Sequence, residues 1–144
     1  ILREMTQTSS TASPCALVVD DDGMVRMAAV DILEEAGFTT FEAESGDRAL
    51  LVLEEHHACV TLLFTDVQMP GLHDGFALAR KVSNAYPHIS IVVASGQTRP
   101  GPNDLPDGAH FIAKPFSVDI VHHHLHQVLP DDQKPDPLRK MRPA

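Results

Sequence analysis

The chain has 144 residues and a mass of 15.7 kDa; with 43% hydrophobic and 22% charged residues it suits one ordinary globular domain and not a disordered chain. Twenty acidic against eleven basic residues leave a net charge of −9, the wrong balance for a nucleic-acid-binding surface. No apolar run approaches the roughly 20 residues of a membrane-spanning helix.

Residues 1–14 are Ser/Thr-rich and lack the apolar stretch of a signal peptide, so they read as a flexible leader, with Met5 a candidate start. With no export signal, the expected location is cytoplasmic, and Cys15 and Cys59 are expected to be buried, reduced thiols. Ala16–Val19 is a short apolar strand ending in Asp20, Asp21 and Asp22. Met24–Ala36 carries a helical stripe (Val25, Ala28, Ala29, Ile32, Leu33, Ala36) that Gly37 stops. Thr39–Glu42 reads as a strand and Asp47–His56 as a helix. Thr61–Thr65 is a further apolar strand, closing on Asp66 before the turn residues Pro70 and Gly71.

Asp74 can N-cap a helix reaching Tyr86, with Pro87 just beyond it. Ile89–Ala94 is a strand closing on Ser95 and Gly96. Arg99–Gly108 holds Pro100, Pro102 and Pro106 and has room for one helical turn at most. Phe111–Ala113 is the last strand, and Ser117 caps a helix to Leu129. From Pro130 onward Pro, Asp and Lys dominate, so residues 130–144 are expected to form a flexible tail around a domain spanning 15–129.

Alternating strands and helices imply a doubly wound parallel sheet with helices on both faces, and continuous apolar strands fit burial on both sides. In such sheets the functional crevice lies beyond the carboxyl ends of the strands. The candidates there are Asp20, Asp21, Asp22, Asp66, Ser95 and Lys114.

The segments A-L-V-V-D-D-D (16–22), L-L-F-T-D-V-Q-M-P-G (62–71), D-G (74–75), V-V-A-S-G (92–96) and F-I-A-K-P-F (111–116) together resemble the receiver domain of response regulators, from about Cys15 to Leu129. The resemblance implies a flavodoxin-like sheet of five strands in the order 2-1-3-4-5, with the fourth helix short or missing. It implies Asp66 as phosphoacceptor, with Mg²⁺ or Mn²⁺ held by Asp20, Asp21, Asp66 and the backbone carbonyl of Gln68. Hard carboxylate oxygens suit such an ion, which offsets the repulsion between a carboxylate nucleophile and a phosphoryl group. Lys114 would meet a phosphoryl oxygen, Ser95 would supply a hydroxyl, and Phe111 would be the aromatic switch residue. Pro115 matches the family's cis-proline. Gln68 and Gln97 occupy positions that tune hydrolysis.

The implied partners are a sensor histidine kinase or histidine phosphotransfer protein upstream and a protein target downstream, with the chain a monomer or a phosphorylation-dependent dimer. Catalysis of other substrates is not expected, only self-catalysed phosphotransfer and dephosphorylation. Three rivals remain: a phosphorelay intermediate or fragment of a hybrid kinase, a Mg-dependent phosphatase with an aspartyl nucleophile, and a receiver-like module that only binds. The phosphatases usually carry D-x-D, whereas residue 68 is Gln. Ser95 stands where Thr is common and Phe111 where Tyr is common, so that switch is confined to packing. His122, His123, His124 and His126 are expected to lie on a solvated helix face and not at a metal site, since nothing clearly completes four ligands.

Overall fold

The computed structural model describes residues 14–141, so apart from Pro14 the expected leader lies outside the described residues. The elements are β1 (Cys15–Val19), α1 (Gly23–Glu35), β2 (Thr39–Ala43), α2 (Gly46–His56), β3 (Val60–Asp66), α3 (Gly75–Ala85), β4 (Ser90–Ser95), β5 (His110–Ala113) and α4 (Val118–Val128). A 3₁₀ turn at Asp131–Gln133 and a short α5 (Asp136–Lys140) follow.

All strand pairs are parallel, in the order β2-β1-β3-β4-β5. Alternate side chains of each strand point to opposite faces. Ala16, Val18, Phe64, Val92 and Ile112 therefore join α1 and α4 in one core layer, through Ala29, Leu33, Val121 and Leu125. Leu17, Val19, Leu63 and Val93 join α2 and α3 in the other, through Ala49, Leu53, Phe76, Leu78 and Val82. Short polar side chains start four helices by accepting from their first-turn amides: Asp22, Ser45, Asp74 and Ser117.

Between β4 and β5 the proline-interrupted loop takes the place of a helix, as its composition requires. It is held by Gly101 N donating to Asp104 Oδ2 at 2.7 Å and Arg80 Nη1 donating to the Asp104 carbonyl at 2.9 Å. Leu105 packs on the α2/α3 side of the core.

The expectation of a flexible tail from Pro130 is corrected for residues 130–141. Leu138 is fully buried in the α1/α4 layer, and its amide donates to the Ala36 carbonyl at 3.1 Å. Gly37 ends α1 with φ of 109°, and a Cβ there would sit 2.6 Å from Pro135 Cβ and 2.8 Å from Pro137 Cδ. The prolines thus stack on a surface only glycine leaves open.

Two further expectations change. Cys59 is exposed, because it lies in the turn before β3; Cys15 is buried as expected. His122 is buried and His126 half-buried, because the returning segment shares this side of α4. His126 lines a cleft of about 620 Å³ with Asp131, Asp132, Lys134, Arg139 and Met141. No helix among the described residues is long and apolar enough to cross a membrane.

Candidate functional site

The carboxyl ends of β1, β3, β4 and β5 meet at one edge of the sheet. The register brings Asp66 beside Ala94 and Ser95 beside Ala113, so Asp66 and Ser95, as last residues of their strands, lie close to the level of Asp20 and Lys114, each one residue past its strand. Asp20, Asp21 and Asp66 each offer a carboxylate oxygen, and these atoms lie within 4.8 Å of one another. Asp20 is 5% and Asp66 9% exposed, whereas Asp21 is open to solvent. Lys114, just after β5, places its Nζ 3.0 Å from Asp20 Oδ2 and 3.0 Å from Asp66 Oδ1. The Lys114–Pro115 peptide is cis.

Local bonds fix these groups. The amide of Asp22 donates to Asp20 Oδ1 at 3.0 Å, and Thr65 Oγ1 donates to the Asp66 carbonyl at 2.8 Å. Arg26, one turn into α1, donates through Nη1 to the Asp20 carbonyl at 2.8 Å and through Nε to Glu42 at 2.9 Å. Beneath Asp66, Gly75 N donates to the Val67 carbonyl at 2.8 Å. A Cβ at Gly75 would overlap the Asp66 carbonyl oxygen, so the D-G pair both caps α3 and lets the β3 end pass over it.

One ammonium faces two buried carboxylates. Burial pushes the Asp66 carboxyl above the usual carboxylate range; the Lys114 bond opposes this and the Asp20 charge adds to it. Burial pulls the Lys114 ammonium down, but its bonds to Asp66 and Asp20 outweigh that and leave it raised. Lys114 therefore stays charged, while Asp66 keeps a desolvation penalty that its bond to Lys114 does not fully offset. Three hard oxygen donors with surplus negative charge and one solvent-open ligand suit a divalent cation.

Ser95 Oγ accepts from the amides of Gln97 (3.3 Å) and Thr98 (3.0 Å), and so caps the loop after β4. The exposed Gln68 side chain donates to Thr98 Oγ1 at 3.1 Å, tying the β3 loop to the β4 loop. Phe111 stands one strand away, paired with Val93 and half-buried, with the Arg99 guanidinium 5.8 Å from its ring centre. The structure thus brings Asp20, Asp21, Asp66 and Lys114 together, sets Ser95 at the end of β4 and Gln68 in the loop after β3, and keeps Phe111 apart. Arg26, Thr98 and Arg99 escaped the sequence reading, and the close approach at Gly75 did too. Gly75 itself was legible there as half of the D-G pair; the other three carried no signal. A largely apolar groove of about 530 Å³, lined by Met24, Val25, Ala28, Gln97, Lys114 and Phe116, opens beside Lys114.

The family model of the response regulator receiver domain matches residues 16–126. Among curated proteins, the chain is 36% identical over 114 residues to sensor kinase CckA of Brucella abortus (strain 2308), covering 77% of this chain but 12% of that protein. It is 33% identical over 109 residues to response regulator receiver protein CpdR of the same organism, covering 73% of this chain and 88% of that one. A solved response regulator receiver protein from Sinorhizobium medicae WSM419 superposes with a TM-score of 0.75 at 25% identity, covering 83% and 97% of the two chains.

Proposed function

The chain belongs to the response regulator receiver domain family, and we propose that within it Asp66 is the phosphoacceptor, charged by a histidine kinase or histidine phosphotransfer protein. The observation that carries this reading is the meeting of three carboxylates within 4.8 Å with Lys114 bonded to two of them. One oxygen of Asp66 forms a bond to phosphorus as the bond from phosphorus to the donor's imidazole nitrogen breaks. The electron pair leaves with the imidazole. Lys114 exchanges its carboxylate partners for a phosphoryl oxygen and holds it as a point charge.

Asp20, Asp21, Asp66 and the Gln68 carbonyl would hold Mg²⁺ or Mn²⁺. The bound ion supplies charge neutralisation for the transferring phosphoryl group. Ser95 already receives two amide hydrogens on Oγ, so its own hydroxyl hydrogen remains free for a phosphoryl oxygen. The apolar groove beside Lys114 leaves room for a donor protein to reach the site. Output through an altered protein contact in the cytoplasm, with Phe111 changing its packing, completes the reading.

The test is incubation with acetyl phosphate and Mg²⁺, with intact mass measured for wild type and Asp66→Asn. One added phosphoryl group in wild type and none in the variant is expected; equal labelling of both would sink the assignment. Steady turnover of a phosphate ester by the purified protein would favour the phosphatase reading instead.

A further inference from the structure

We propose that His110 and His124, with His123 beside them, form a second metal site, for a borderline transition-metal ion such as Zn²⁺, Ni²⁺ or Cu²⁺, between strand β5 and helix α4. The Nδ1 atoms of His110 and His124 approach to 2.9 Å, with ring centres 5.2 Å apart and planes at 86°. Two imidazole nitrogens at that separation share a single proton, one donating and the other accepting. A metal ion takes the place of that proton and uses both lone pairs. Tetrahedral coordination needs the two nitrogens about 3.3 Å apart, a few tenths of an ångström wider than they stand. The His123 ring lies 5.5 Å from that of His124, a neighbour whose nitrogen does not yet stand within coordinating distance of the pair. Imidazole donors suit ions of this class and not Mg²⁺.

Three features support accessibility and charge state. All three histidines are half-exposed, so an ion reaches them from solvent. Burial, with the charge of His123 on both and of His110 on His124, holds His110 and His124 below the usual histidine range, so both are neutral near pH 7. Among the described residues, no lysine or arginine charge shifts either ring. The other pair on the helix, His122 and His126, offers two buried Nε2 atoms without partners one turn apart. That pair is the weaker choice, because its Nε2 atoms have no partner within hydrogen-bond reach and so do not approach each other as the Nδ1 atoms of His110 and His124 do.

The bound ion would clamp the first residue of edge strand β5 to α4, remote from the acidic cluster and independent of the phosphoacceptor reading. The test is calorimetric titration of the full chain, carrying no polyhistidine tag, with Zn²⁺ and with Ni²⁺ in saturating Mg²⁺. One equivalent should bind to wild type. His110→Ala and His124→Gln should each weaken binding about tenfold or more, and His126→Gln and Asp66→Asn should leave it unchanged. Zn²⁺ should also raise the melting temperature of wild type and not of His124→Gln. Unaltered affinity in His124→Gln, loss in His126→Gln or in Asp66→Asn, or the absence of a saturable site would each overturn the proposal.

Discussion

Burial holds the Asp66 carboxyl above the ordinary carboxylate range, and a single ammonium shared with Asp20 does not offset it. For a carboxyl raised in the folded state, the folded protein binds the proton more tightly than the unfolded chain. Its contribution is most favourable at low pH and is lost as pH rises from about 3.9, the unfolded value, through the raised folded value. Asp47 and Asp131 act with the opposite sign. The bond to His73 lowers Asp47 and the bond to Lys134 lowers Asp131, so bulk pH stability mixes both trends. Comparison with Asp66→Asn isolates the one group. In chelator-treated buffer the variant should be more stable than wild type at pH 7.5, and the gap should shrink towards pH 4. Mg²⁺ should narrow the gap at pH 7.5 by stabilising wild type alone. Urea midpoints at both pH values check this, and a gap that widens on acidification would refute the sign.

At the scale of single elements, the end of β3 and the start of α3 touch through Gly75. A Cβ there meets the Asp66 carbonyl and would stand 2.7 Å from Val67 Cα, both backbone groups that cannot swing away. Gly75→Ala should cost about 3 kcal/mol and weaken phosphoryl uptake, because the backbone that must move carries Asp66. Urea unfolding with acetyl phosphate labelling measures both; a fully stable, fully labelled variant would show that the close approach has no consequence. Gln68 presents the contrary case, an exposed side chain whose contact is the link to Thr98. Gln68→Ala should change the decay of the phosphorylated form several-fold while moving stability by no more than about 0.5 kcal/mol. Unchanged decay would refute it.

These two positions show what sequence reading captures. The strands were legible because a parallel sheet buried on both faces demands continuous apolar runs, and the acidic and basic candidates stood at their ends. Gly75 was visible only as half of D-G. The Gln68–Thr98 bond and the Arg99–Phe111 contact join residues 30 and 12 apart in the chain, and no local periodicity encodes such pairs.

For the whole molecule, the segment after Pro130 extends the core and does not merely trail from it. Composition concealed this: Pro, Asp and Lys suggest a solvated tail, yet Leu138 docks in the core with Pro135 buried beside Gly37. Leu138 is fully buried, and Pro135 and Pro137 restrict the chain before it has docked, which reduces the entropy lost on ordering. Helix α1 returns from the carboxyl end of β1, so Ala36 and Gly37 lie at the opposite end of the sheet from Asp66, and the tail stabilises the fold without touching the acidic cluster. Leu138→Ala should therefore cost about 2–5 kcal/mol, with the same phosphoryl uptake per folded molecule. Deleting residues 130–144 should cost at least as much, because it also opens the α1/α4 layer around Leu125 and Leu129 to water. Urea unfolding measured alongside acetyl phosphate labelling separates the two effects. Wild-type stability in the truncated chain would mean that the docked segment adds nothing to the core. Lost labelling in a truncated chain that remains folded would mean that the two ends of the sheet are coupled.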